Sequence, residues 1–248
     1  SVRRVEKVCT ALWRTADADA SALSSWAAQA LVPALQTSRG VRAATVHVES
    51  ADPAHGAFRH GAGTDGRLLA GLVSVWLDSY QDASEVEKLL ASAPAAERAS
   101  YLVSESVPQP YGDVMTWAEG EPSPGLAIVT LLDKPEGADE KVFFHYWHEL
   151  HRITTAECHP FASYVRNEVA RALTDGAPRY RGIVTEASPD VQDFLDPHRF
   201  YVSGGDRDQL KANQRRVVEE TSHFIDYATI QVAPMVETVV RRLSPTSP

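Results

Sequence analysis

The chain has 248 residues, 44% hydrophobic, 23% charged and 8% aromatic, an ordinary globular composition that excludes wholesale disorder and leaves apolar material for one large core or two small ones. A formal net charge of −9 opposes nucleic acid or an anionic membrane as a main partner, because phosphate binding needs a basic surface, and Arg215-Arg216 and Arg241-Arg242 are too short to reverse that. No run approaches the roughly 20 apolar residues that span a bilayer, no signal-peptide core opens the sequence, and Cys9 and Cys158 fit neither a disulfide framework nor a zinc site, so a cytoplasmic protein with reduced thiols is expected.

In chain order the first half predicts a strand over Val5 to Arg14, a helix over Ala20 to Leu35, strands over Ala43 to Glu49 and Leu69 to Leu77, a helix over Ser84 to Ala93 and a strand over Arg98 to Val107. The strands rest on β-branched alternation such as Ala44-Thr45-Val46-His47-Val48. The first helix rests on Leu23, Trp26, Ala27, Ala30 and Leu31 at helical spacing. Clustered Pro108, Pro110, Gly112, Gly120, Pro122, Pro124 and Gly125 then predict a linker.

The second half begins the same plan again. It predicts a strand over Leu126 to Leu132, a helix over Asp139 to Cys158, strands over Ala162 to Leu173 and Arg181 to Ala187, a helical insertion around Asp190 to Leu195, a helix over Arg207 to Glu220 and a strand over Ala228 to Val236. Trp26 matches Trp147 in mid-helix, Gly71-Leu72-Val73-Ser74 matches Gly182-Ile183-Val184-Thr185, and Tyr101 matches Tyr227 at the opening of the last strands. The expected fold class is α+β: two tandem ferredoxin-like β-α-β-β-α-β repeats, 1–112 and 126–248, joined by a linker over 113–125. A four-stranded sheet with both helices on one face leaves its other face needing cover, and the sister sheet can supply it, forming an intrachain dimeric α/β-barrel around a ligand cavity.

The stretch Lys141-Val142-Phe143-Phe144-His145-Tyr146-Trp147-His148-Glu149-Leu150-His151 resembles the helix motif of the EthD family, in which a Tyr-Trp pair is followed by a His four residues after the Trp, here His151. Tyr164-Val165-Arg166-Asn167, Arg181-Gly182-Ile183-Val184-Thr185-Glu186 and Phe224-Ile225-Asp226 extend the resemblance over most of Leu126 to Leu243. The first half departs from it, with Ala30 at the Trp-plus-four place, which marks a degenerate copy. The resemblance implies a fold more than an activity, since relatives of this architecture include cofactor-free cyclases, isomerases, dehydratases and monooxygenases, haem-binding enzymes and members of undefined role.

Phe143, Tyr146, Trp147 and Leu150 form the apolar stripe of that helix, with His151 at its edge beside Phe144. A His at a cavity wall suits general acid/base work near neutrality, although the same position suits a structural His bonded to the sheet. His145, His148 and His151 are spaced His-x2-His-x2-His, but the triplet spreads over about 120° of arc, with Glu149 pointing away from its centre, so no metal is expected. On the following strand Ser163, Val165 and Asn167 share one face and Tyr164, Arg166 and Glu168 the other. Asn167 either orients a substrate oxygen or bonds backbone.

The expected catalytic set is His151, Asn167 and Tyr146. Phe144, Trp147, His148, Tyr164, Glu186, His223, Phe224 and Asp226 are expected to bind substrate, Asp226 having backbone capping as its alternative. No phosphate loop, dinucleotide fingerprint, Gly-x-Ser-x-Gly elbow or His-Glu-x-x-His helix is present. The leading expectation is a cofactor-independent lyase or isomerase that dehydrates, cyclises or decarboxylates a small apolar organic molecule inside the barrel. A non-catalytic binding or accessory protein, a cofactor-free monooxygenase and a haem protein with His151 as axial ligand are the rivals. Outer helix faces are open to pairing two tandem units as a homodimer.

Overall fold

A computed structural model describes residues 5–243; residues 1–4 and 244–248, the outer ends of the two expected units, lie outside the described residues. The elements run β1 (Glu6–Arg14), α1 (residues 20–37), β2 (Val41–Glu49), β3 (Leu68–Leu77), α2 (Ser84–Leu90), β4 (Glu97–Gln109), β5 (Leu126–Leu132), α3 (residues 140–158), β6 (Ser163–Ala172), β7 (Gly182–Ser188), short α4 (Gln192–Leu195) and α5 (Pro197–Phe200), α6 (Arg207–Thr221) and β8 (Gln231–Arg241). Asp19, Asp139 and Asp206 start α1, α3 and α6 by accepting hydrogen bonds from backbone N–H groups of the first turn.

Both long helices of the β-α-β units contain a widened π turn, Ala27–Leu31 in α1 and His145–Leu150 in α3. In α1 the widening leads directly into Pro33, which has no N–H to donate and whose ring would crowd the carbonyl one turn back. In α3 the irregular stretch leaves carbonyls free, and the buried Arg166 of β6 donates to the carbonyl oxygens of Trp147 (3.0 Å) and His148 (3.1 Å).

All eight strands close into one antiparallel barrel in the order β1-β3-β2-β8-β5-β7-β6-β4. Each half therefore contributes four neighbouring strands, β4-β1-β3-β2 and β8-β5-β7-β6, sealed by the β2–β8 and β4–β6 pairings. Eight strands leave an interior that side chains can fill. Alternate residues such as Cys9, Ala11, Trp13, Leu72, Tyr101, Ile183 and Met235 fill it, and at one end Trp13 Nε1 donates to Gln231 Oε1 at 2.9 Å. The opposite residues of each strand pack under the helices in separate clusters, one around Leu31 and Val73 and another around Phe143, Trp147 and Phe224.

Three expectations shift. The last strand begins at Gln231 rather than Ala228, because Asp226 accepts from the backbone N–H of Ala228 and holds a turn there, leaving Tyr227 half exposed outside the strand. Strand β4 runs on through Pro108 to Gln109. The segment after it is no passive linker: it folds over one mouth of the barrel, with Pro122 bridging Thr238 of β8 and Ser123 bonding Glu237.

The Trp26–Trp147 correspondence also changes. Trp147 is the residue lying over Gly182, where an added Cβ would meet its ring at 2.4 Å, whereas the residue over Gly71 is Leu23, at 3.0 Å. Trp26 sits partly exposed, donating to Ser92 Oγ. The residue four after Leu23 is the buried Ala27.

Candidate functional site

Strand alternation gives the sheet of the second half a chamber on each face. The outer chamber, about 350 Å³, lies between the convex face of β5-β7-β6-β8 and helices α3 and α6. His151, Tyr164, Glu186, Trp147, Phe224 and His159 border it, together with aliphatic groups such as Ile128, Val184 and Val232. The inner chamber, about 340 Å³, is the open end of the barrel itself, bordered by His47, Glu237, Lys7, Glu105 and Trp76.

His151 therefore does not stand at the wall of the barrel interior, as its sequence pattern led us to expect. A helix packed on the outside of a barrel cannot pass a side chain through the sheet, so its pocket face looks into the layer between helix and sheet. There His151 is buried, its Nδ1 lies 2.8 Å from Glu220 Oε1, and its ring packs 5.0 Å from Phe224 and 6.5 Å from Tyr164. Burial works to raise the pKa of Glu220, but hydrogen bonds from His151 and Thr154 outweigh it and hold the carboxyl below its ordinary range. The carboxylate thus fixes Nδ1 as the donor and leaves Nε2 as the reactive nitrogen.

Glu186 lies directly opposite Tyr164 in the β6–β7 register. It keeps part of its surface open to the chamber, and its desolvating surroundings push its pKa up to about 7. Burial raises the Tyr164 phenol as well. Its hydroxyl has no hydrogen-bond partner of ordinary geometry, although Thr155, equally unpartnered, approaches it. His159 donates from Nδ1 to the Phe200 carbonyl at 2.9 Å and stacks on Phe161, and burial lowers its pKa to about 4.

The other expected site residues scatter. Asn167 is wholly buried on the barrel side of β6, its Nδ2 donating to the Ile183 carbonyl at 3.0 Å and its Oδ1 without a partner, so the sheet separates it from His151. Tyr146 does not border the outer chamber. It stacks on the exposed His223 with ring centroids 4.1 Å apart. Phe144 stacks on Trp147 outside the chamber, and Asp226 caps a turn. His148 is held near pKa 4 by burial and by the charge of Arg166, while His145 pairs with Glu149, which the helix brings within 3.0 Å. Among the described residues no three His, Cys, Asp or Glu side chains are grouped to hold a metal ion, and no helix is long and apolar enough to cross a membrane.

Glu220 and His159 carry no motif. Glu220 is one of two adjacent acidic residues near the end of α6, singled out only because α6 packs against α3; His159 precedes Pro160 at the end of α3, a weak chain-turn signal.

Haem does not fit the outer chamber. No Lys or Arg borders it to pair the propionates.

No family model matches the chain, and no curated protein matches it. Among solved structures it is similar to an anthrone oxidase-like protein, with TM-score 0.57 and 10% identity, over 98% of this chain and 97% of that one. It also aligns with a "putative monooxygenase" from Lactobacillus acidophilus NCFM (0.48, 9% identity, 94% and 93% covered) and a mutant chlorite dismutase from Candidatus Nitrospira defluvii (0.45, 12% identity, 93% and 91% covered). The first likeness shows the fold: an α+β chain closed as an eight-stranded barrel of the dimeric α/β-barrel kind.

Proposed function

We propose that the protein is a cofactor-independent enzyme that takes a proton from a small, largely apolar organic molecule held in the outer chamber. The observation that carries this reading is Glu186, a carboxyl with pKa about 7 facing a largely apolar and aromatic cavity. A general base works best when its pKa lies near the operating pH, and desolvation tunes a carboxylate there. Tyr164 opposite it supplies a hydrogen-bond donor for the oxygen on which negative charge develops, and His151, whose Nε2 carries the lone pair, is a second proton acceptor at the same chamber.

Deprotonation of a carbon acid opens the lyase and isomerase outcomes, dehydration or cyclisation, and equally a cofactor-free reaction of the carbanion with dioxygen. The anthrone oxidase-like neighbour makes the second fate worth testing beside the first. The EthD-like motif of α3 and the division into a degenerate copy at 1–112, a connector at 113–125 and a site-bearing copy at 126–248 belong to the same reading. The repeated strand order supports that division.

The test uses anthrone as a probe carbon acid. Exchange of its methylene protons in heavy water without oxygen, above the buffer rate, reports base catalysis, and quinone formation in air reports oxidation. Glu186→Gln should reduce either rate by about 100-fold or more while folding is retained. Full activity in that variant rejects Glu186 as the base, and saturable binding with no exchange and no oxidation rejects the enzyme reading in favour of a binding protein.

A further inference from the structure

The inner chamber has chemistry of its own. Glu237 of β8 is buried at 7% exposure and both of its oxygens are engaged: Oε1 accepts from Tyr111 at 2.7 Å and Ser123 at 3.1 Å, and Oε2 lies 3.2 Å from Nε2 of His47. Burial favours the neutral acid, but these three donors outweigh it and lower the pKa, so the group is a carboxylate and the Nε2–H of His47 donates to it. His47 of β2 is 2% exposed and borders the chamber, and its Nδ1 has no hydrogen-bond partner among the described residues. In the neutral ring that nitrogen carries a lone pair, so what it lacks is a donor. A buried polar atom left unpaired is costly, and here the ring that carries it borders a cavity large enough for a ligand.

The charges around the chamber are already paired, and the exposed Arg242 that also borders it is bonded to Glu119 at 2.8 Å. Lys7 is bonded to Glu105 and lies 4.2 Å over the Trp76 ring, and Glu237 is saturated. An ionic ligand would enter with no free countercharge, which disfavours it. The remaining wall joins hydrocarbon and aromatic groups such as Trp76, Val107, Met115 and Val165 to the neutral hydroxyls of Thr45, Ser74, Ser163 and Thr185 around about 340 Å³, near the lower end of small-molecule sites.

We propose that the barrel interior is a second small-molecule site, separate from the outer chamber, which takes a neutral hydroxylated aromatic compound whose O–H donates to Nδ1 of His47. Nothing in this depends on the role of Glu186. The carboxylate–imidazole pair orients the acceptor, as second partners of a His do elsewhere. Tyr111 and Ser123, from the connector folded over the barrel mouth, hold the carboxylate in place.

The experiment is calorimetric titration of the full chain with 1-naphthol and with 1-methoxynaphthalene, which has the same rings but no O–H. We expect naphthol to bind about tenfold or more tightly than the ether. Val165→Trp, which fills the chamber from β6 without touching the imidazole pair, should weaken naphthol by a similar factor, as should His47→Leu. If either variant does not fold, wild-type protein labelled with 15N-histidine gives the answer: naphthol should shift the Nδ1 resonance of His47. Equal affinity for the ether, no binding of naphthol, naphthol binding unaffected by both variants, or an unmoved His47 resonance at saturation overturns the proposal.

Discussion

Tyr164 and Glu186 stand directly opposite each other on neighbouring strands and face the outer chamber, while Val165 and Thr185, the next pair along, face the barrel interior. One sheet thus carries two cavities on its two faces, because successive side chains of a strand point to opposite sides. A change at one position reaches one chamber, and a change at the next reaches the other.

The raised pKa of Glu186 ties stability to pH. In the folded chain the carboxyl keeps its proton up to about pH 7, against an ordinary 4.5. The native state therefore binds more protons than the unfolded state between those values, so stability is fully present below pH 4.5 and is lost as pH rises through 7. The loss should be roughly 3 kcal/mol. Glu186→Gln should remove it: denaturant midpoints at pH 5 and pH 8 should differ less in the variant than in wild type. An unchanged difference would show that the carboxyl titrates normally.

The pair His151–Glu220 separates positioning from chemistry. His151→Ala leaves a carboxylate that has lost one of its two protein donors and should cost about 1–3 kcal/mol of stability. His151→Asn places an amide N–H near the former Nδ1 and should recover most of that stability while lacking any group at the Nε2 position. If Nε2 takes part in turnover, anthrone exchange stays low in the Asn variant although its unfolding midpoint returns. Recovery of both makes His151 a structural residue.

Gly182 exists for Trp147. Trp147 is 1% exposed, and a Cβ on Gly182 would sit 2.4 Å from its ring. Gly182→Ala should destabilise by about 1–3 kcal/mol through overpacking. In a double-mutant cycle with Trp147→Phe the two effects should couple by more than about 0.5 kcal/mol, since a smaller ring gives the methyl room. Additivity in urea unfolding would place the strain elsewhere.

Arg166 supports the widened turn of α3. Arg166→Met keeps the apolar stem but strands the Trp147 and His148 carbonyls, and should cost about 1–3 kcal/mol. Amide hydrogen exchange should rise across residues 145–151 specifically. Uniform protection there would show that the helix satisfies those carbonyls by itself.

How much of this was legible in the sequence varies with the range of the forces involved. Alternation and helical spacing are local, and they mark all eight strands and the main helices with ends off by a few residues; Leu126–Leu132 agrees at both ends. The parity of β6 was equally readable, placing Asn167 with Val165 and Tyr164 on the other face. Where a strand begins after a turn was less readable: the backbone bonds of Asp226 displaced the start of the last strand.

The sequence by itself determined the β-α-β-β-α-β order in each half and the aromatic and imidazole-rich face of α3, because periodicity is written in neighbouring residues. Only the tertiary structure decided which face of the sheet each chamber occupies, and it put His151 outside the barrel with Glu220 for a partner, 69 residues on. It also joined His47 to Glu237 across 190 residues of chain, at the seam where β2 meets β8. Pairings of that kind follow from barrel closure, which depends on how whole sheets meet and leaves no trace in the spacing of residues.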